Sequence, residues 1–215
     1  KVEHHIAQAQ GEYYPLVKTA WHRAMVEGHE IGNHTFSHSH GGNFSVSQWE
    51  NEIEKNIDWQ IKPYDPDEDI YYPDPTKGIG ATADQIFGFR TPYLEYNNNT
   101  FTALKNKGLL YDCSIEDGYQ TDHDGSNYLW PYTLNGGSPG HEVLYDMGSK
   151  NFHLGNLTGL WEVPAHPVIA PPDELCAQYG LDYSLRDKLY NLQNWFDKES
   201  GKITGLDYNM WYQFY

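Results

Sequence analysis

Basic residues, cysteines and long apolar runs are all scarce in this 215-residue chain, and each shortage closes off a class of function. Only 14 Lys and Arg stand against 30 Asp and Glu, a formal net charge of -16. A field of that sign repels nucleic acid and anionic lipid alike, and suits a neutral or cationic ligand. No apolar stretch approaches the roughly 20 residues of a membrane-spanning helix. The two cysteines, Cys113 and Cys176, sit in polar, loop-like settings. A bond between them would suit a secreted protein, and the spacing leaves it open. No linker-like tract, internal repeat or low-complexity segment divides the chain, so its length is that of one domain. Four N-x-S/T triplets begin at Asn33, Asn43, Asn98 and Asn156, a pattern short enough to arise by chance.

Aromatic residues are plentiful, at 15% of the chain with 18 Tyr and 7 Trp. Such rings suit both a core and stacking on the apolar faces of sugars. Apolar residues at Leu16, Ala20, Ala24 and Met25 predict a helix over 15–27, stopped by Gly28. A short buried strand over 29–34 follows. Ser47 and Glu50 have the spacing of a capping box ahead of a second helix carrying Trp49, Ile53, Ile57 and Ile61. Residues 62–77, rich in Pro, Asp and Tyr, read as a long surface loop before a strand over 85–89. Asn98 or Asn99 caps a third helix closed by Gly108, with a strand at 109–112 beyond it. Residues 118–159 read as a turn-rich insertion. Short strands are expected at 161–163 and 168–169. A last helix is expected from Ser184, presenting Leu185, Leu189, Leu192 and Phe196 and stopping at Gly201. This alternation argues for an α/β fold with a mainly parallel sheet, whose functional groups gather at the carboxyl ends of the strands.

Three polar clusters fall at those ends. In His34-Thr35-Phe36-Ser37-His38, with His40 beyond, two imidazoles four residues apart can converge on one divalent ion if the segment turns. Among 11 histidines the pair also fits surface groups bonded to solvent. In Phe89-Arg90-Thr91-Pro92-Tyr93, the arginine can orient a carboxylate through paired hydrogen bonds, or serve a structural salt bridge. The proline fixes the turn that aims a neighbouring N–H. Asp112 to Asp117 forms the third cluster, and either end of it reads most simply as an exposed carboxylate.

Together, the ordered H-[ST]-x-x-H and R-x-P-[YF] motifs resemble the polysaccharide deacetylases of carbohydrate esterase family four, the NodB-homology domain. The segments Trp130-Pro131-Tyr132-Thr133 and Leu160-Trp161-Glu162-Val163-Pro164 look like its chitin-deacetylase-like branch. The resemblance covers nearly the whole chain and implies an incomplete, distorted (β/α) barrel of the NodB type. It implies hydrolysis of N-acetyl groups on an amino-sugar polysaccharide or oligosaccharide such as chitin, by a secreted or periplasmic monomer. Acetyl xylan or peptidoglycan substrates, and a non-catalytic carbohydrate-binding module, are the alternatives. His34 and His38 would hold Zn2+ or another divalent metal. Arg90 would orient the catalytic base, the N–H of Tyr93 would serve the oxyanion, and Pro92, Trp130 and Asp112 would border the substrate. The family's Asp-Asp motif is expected before Lys1 and its closing histidine motif beyond Tyr215, with His166 a weaker stand-in. On this expectation residues 1–215 are the central part of one catalytic domain, inactive as a fragment.

Overall fold

The computed structural model describes residues 3–6, 14–116, 129–165, 196–197 and 202–203. These fall into two units. The second contributes only an antiparallel pair, β7 (Phe196–Asp197) and β8 (Lys202–Ile203). Phe196 therefore lies in a strand, which corrects the helix expected to run through it. The rest of that helix, the strand at 168–169, and Asp117, His166 and Cys176 lie outside the described residues.

The first unit is built on one sheet. In chain order it comprises β1 (Glu3–Ile6), α1 (Pro15–Val26), β2 (Glu30–Asn33), α2 (Val46–Gln60), β3 (Gly88–Phe89), α3 (Asn98–Asn106) and β4 (Tyr111–Asp112). Then come β5 (Tyr132–Thr133), α4 (Pro139–Asp146) and β6 (Trp161–Glu162). The strand order is β1-β2-β3-β4-β6-β5, with every pair parallel except β5 on β6. Among the described residues β1 and β5 are edges, so the sheet is open there, and the distorted barrel, expected to be incomplete, is not shown. The segment at 3–6 was not anticipated as a strand. The insertion at 118–159 holds more order than expected, since β5 and α4 lie within it.

Helices form where the sequence pattern places them, with shifted details. The Ser45 side chain accepts from the Gln48 N–H while Gln48 caps Ser45 in return, so the capping box lies two residues before the expected Ser47 and Glu50. Likewise Asn97, rather than Asn98 or Asn99, caps α3. Its amide also donates to the carbonyls of Gly42 and Phe44, tying the loop before α2 to the start of α3. Of the apolar face expected on α1, Ala24 and Met25 pack inward together with Trp21, while Leu16 and Ala20 are exposed. Lys18 on that inner side is buried because its ammonium meets Glu68 at 2.7 Å and the Asp74 carbonyl at 3.1 Å. A paired cation can go where an unpaired one would be prohibitive.

The main core gathers Trp49, Ile53, Phe89, Phe101, Leu104, Ile115, Leu134 and Leu160 between the sheet and α2, α3 and α4. Gly41 comes so close to the Trp49 indole that a Cβ there would overlap the ring, which fixes the path of the chain leaving the histidine motif. The 62–82 loop is held by ordered contacts. His22 Nδ1–H donates to the Ile79 carbonyl and its ring stacks on Tyr64, and Asp65, Asp69 and Asp74 each accept an N–H two residues on.

Candidate active site

Four adjacent parallel strands deliver one polar group each to a common end of the sheet. His34 follows β2, Arg90 follows β3, Asp112 ends β4 and Glu162 ends β6. The register sets Asn33 opposite Phe89, Phe89 opposite Asp112, and Asp112 opposite Glu162. The two sequence motifs thus meet at the carboxyl end, where parallel sheets collect functional side chains.

The histidine segment is a tight turn clamped from α2. Thr35 and His38 have φ of 68° and 51°, left-handed values that non-glycine residues adopt only when held. Asn33 holds one end, accepting the Thr35 N–H and donating to the Ile53 carbonyl. Glu52 holds the middle. Its Oε2 accepts from the N–H groups of Phe36 and Ser37 at 3.1 and 2.7 Å and from the Ser37 hydroxyl at 2.9 Å. Neither Glu52 nor Asn33 was anticipated as a site residue. Asn33, fully buried and bonded in both directions, cannot carry a glycan in the folded chain, which removes one of the four triplets.

The turn brings the His34 and His38 rings to 4.9 Å between centroids. His34 Nδ1 lies 2.8 Å from the Arg90 carbonyl, which can only accept, so Nδ1 carries the proton and Nε2 the lone pair. Burial pushes the His38 imidazole below its ordinary pKa and favours the neutral ring. The two rings together have the chemistry of half a tetrahedral metal site. Among the described residues no group of three or more His, Cys, Asp or Glu could hold a metal ion.

Arg90 lies beside the histidine turn through its backbone. Its N–H reaches the Asn33 carbonyl, while its side chain crosses towards β4 and donates Nε–H to the Cys113 carbonyl at 3.0 Å. Next, Pro92 is buried at the start of a single 3-10 turn, and Tyr93 and Leu94 take φ of 57° and 53°. The N–H groups of Leu94 and Glu95 close that turn on the Thr91 and Pro92 carbonyls, and the N–H of Tyr93 takes no part in closing it. The Tyr93 ring is exposed, stacks on His40 at 4.0 Å and meets His38 edge-on at 4.9 Å. His40 is tied to Glu95 at 2.8 Å.

Asp112 is fully buried, which corrects its reading as an exposed carboxylate and removes it from direct contact with a sugar. Its oxygens instead accept the Ser114 N–H at 2.8 Å and the Ser114 hydroxyl at 2.7 Å. Ser114 Oγ in turn accepts the Thr91 N–H at 2.8 Å, which fastens the Arg90-to-Tyr93 turn to β4. Trp130 is 88% exposed. Tyr132, two residues on, pairs with Glu162 in an antiparallel strand, so Trp130 stands at the same end of the sheet as the polar cluster. Cys113 is buried.

No protein-family model matches the chain, and no curated protein matches it. Among solved structures it is similar to a family 4 carbohydrate esterase from Streptomyces lividans in complex with acetate, at 15% identity over 77% of each chain, with a TM-score of 0.34. It is also similar to the Xyl-CE4 domain of a multidomain xylanase from the hindgut metagenome of Trinervitermes trinervoides. There the identity is 13%, over 93% of this chain and 72% of that one, with a TM-score of 0.34.

Proposed function

We propose that this chain carries part of the active site of a divalent-metal-dependent deacetylase acting on acetylated amino-sugar polymers, chitin or its oligomers foremost. The observation that carries the reading is the His34 Nδ1–H held by the Arg90 carbonyl. One hydrogen bond joins the two motifs and sets the tautomer, since a neutral ring that donates at Nδ1 has its lone pair on Nε2. A metal-binding histidine needs that arrangement, whereas a surface histidine does not.

His34 and His38 would hold the ion, with Zn2+ suited to imidazole ligands. When bound, such an ion supplies a Lewis acid to water and to the acetyl carbonyl. The remaining steps belong to the chain's own residues. Arg90, anchored at Nε on Cys113, presents the rest of its guanidinium to an anionic partner. The Tyr93 N–H, uninvolved in closing its turn, donates to the oxygen that becomes negative as the acetyl carbon turns tetrahedral. Exposed Tyr93 and Trp130 offer rings for sugar faces, and the acidic surface suits a neutral polymer whose deacetylated product is cationic. A secreted or periplasmic setting follows from a polymeric substrate.

Acetate release by the full-length protein from chitin oligomers, acetylated xylan and peptidoglycan tests the reading. Release from chitin oligomers is expected, with loss on chelation and recovery on adding Zn2+. Arg90→Lys should lower kcat/KM by about 100-fold, since an ammonium does not reproduce the planar fork. Binding of the oligomers with no acetate released from any of the three would point to a carbohydrate-binding module instead.

A further inference from the structure

Glu162 is assigned no part in the site by the motifs, yet it bonds to the 112–115 turn whose Cys113 carbonyl holds the Arg90 side chain. It ends β6 directly opposite Asp112 on β4, and both side chains are wholly inaccessible to solvent. The two carboxyl groups differ in what surrounds them. Asp112 accepts at both oxygens, from the Ser114 N–H and the Ser114 hydroxyl. Glu162 accepts only at Oε1, from the Ile115 N–H at 3.1 Å. Its Oε2 is buried with no donor among the described residues, although its side chain lies within hydrogen-bonding contact of Asp112.

Two ionised carboxylates can only accept, so they cannot bond to one another. One proton resolves both the contact and the orphaned oxygen. Placed on Glu162 Oε2, it is donated to Asp112, and it leaves on the pair a single negative charge. Asp112 is the partner better supplied with donors and is the one that stays ionised. Among the described residues, the charged and titratable groups facing the pair are the Arg90 guanidinium from beyond β3 and the Tyr96 phenol from the turn that follows it. Tyr132 faces Glu162 across β5, and Glu116 adds its charge near Tyr96. One cation against two anions would leave the interior negative, and one against one balances. Burial, and then the charge of Asp112, push the Glu162 acid well above the ordinary carboxyl range.

We propose that Glu162 is a positioning residue that stays protonated in the folded protein and shares its proton with Asp112, and that this pair sets the 112–115 turn on which Arg90 rests. Glu162 fixes Ile115, Asp112 fixes Ser114, and between them the Cys113 carbonyl receives Arg90 Nε–H. Ser114 passes the same constraint to the Thr91 N–H and so to the Pro92-Tyr93 turn. The proton moves nowhere during a reaction; its presence keeps the arginine in place. The inference rests on the deacetylase reading only for what Arg90 does.

The test has a spectroscopic arm and a kinetic arm, both on the full-length protein. Glutamate labelled with 13C at Cδ reports the protonation of Glu162, assigned by the signal lost in Glu162→Gln. The signal should hold its protonated position through neutrality, whereas an ordinary glutamate titrates near pH 4.3. Titration of Glu162 in that ordinary range overturns the proposal. Arg90 Nε–H, read by 15N resonance, should be protected from exchange in the wild type and in Glu162→Gln. In that variant the amide donates to Asp112 and still accepts from Ile115. Loss of protection in Glu162→Gln refutes the positioning role.

In acetate release, Glu162→Gln should keep kcat within about two-fold of the wild type at neutral pH, as neutral isosteres do when no charge is required. Glu162→Ala should lower kcat by about 100-fold at little change in KM, the cost of a misplaced arginine. If the alanine variant does not fold, the kcat of the glutamine variant decides. A glutamine variant as impaired as a misplaced arginine would make it, about 100-fold down in kcat, overturns the proposal. If no acetate is released from any polymer, the deacetylase reading fails, and the two resonance measurements still decide the proton and the place of Arg90.

Discussion

One oxygen, Glu52 Oε2, accepts two backbone N–H groups and a hydroxyl from the segment between His34 and His38, so the left-handed turn that pairs the imidazoles is held from α2. Removing that acceptor leaves N–H groups unpaired without touching either ring. Glu52→Ala should cost about 1–3 kcal/mol of stability. It should also weaken Zn2+ binding by about 10–100-fold, the effect of losing a group that orients a ligand. Competition with a colorimetric chelator measures the second effect, and unchanged affinity alongside the lost stability would refute the link between turn and metal. At this scale the sequence was partly readable. His34, His38, Arg90 and Pro92 are recognisable because their chemistry lies in side chains at fixed local spacing. Glu52 and Glu162 are not, because they act on backbone N–H groups 15 and 47 residues away, for which no residue type is a signal.

Whole helices were more legible than their faces or ends. Gly28 and Gly108, with φ of 84° and 75°, stop α1 and α3 where a left-handed residue is needed, and both stops stand out in the sequence. The inner face of α1 was legible at Ala24 and Met25 but not at its start, because Lys18 looks solvent-bound and only the distant Glu68 and Asp74 make its burial tolerable. The strands expected at 85–89, 109–112 and 161–163 do hold β3, β4 and β6, but each is only two residues long, too short for alternation to mark its ends. Helix α4, hidden in the turn-rich stretch, is anchored by His141, whose Nε2–H donates to the Phe152 carbonyl at 2.6 Å while Nδ1 accepts from the Tyr96 hydroxyl at 3.0 Å. Only the bond accepted at Nδ1 needs the neutral ring, and burial lowers the imidazole below its ordinary pKa against the pull of the Phe152 carbonyl. With the folded pKa depressed, the unfolded chain takes up the proton first. The contribution is therefore complete above the ordinary histidine pKa and is lost as pH falls through it towards the folded value. His141→Phe should remove this part of the acid sensitivity. At neutral pH it should lower stability by about 1–3 kcal/mol, because the Tyr96 hydroxyl is left buried without its partner. Urea midpoints across the acid range measure both effects, and an unchanged slope against pH would exclude His141 as the titrating group.

For the molecule as a whole, alternating strands and helices were enough to expect a parallel sheet with its polar groups at one end, and β2, β3, β4 and β6 deliver theirs in that way. Strand order and the open edges depend on pairings between distant segments, which local pattern does not encode. Net charge acts at the same scale. A formal charge of -16 on 215 residues makes a field that a neutral sugar polymer does not feel and a polymer of free amines does. On the deacetylase reading, each acetyl group removed turns a neutral unit into a cation, so product should bind this surface more tightly than substrate when salt is low. Ions shorten the reach of the field to about 10 Å at 0.1 M and about 3 Å at 1 M. Inhibition by glucosamine oligomers should therefore weaken several-fold between those concentrations, while the affinity for N-acetylated oligomers of equal length stays nearly constant. Calorimetric titration of both oligomers at the two ionic strengths measures the difference. Equal salt dependence for the neutral and the cationic oligomer would mean that the acidic surface lies too far from the bound sugar to act on it, and that contacts with rings such as Tyr93 and Trp130 dominate binding.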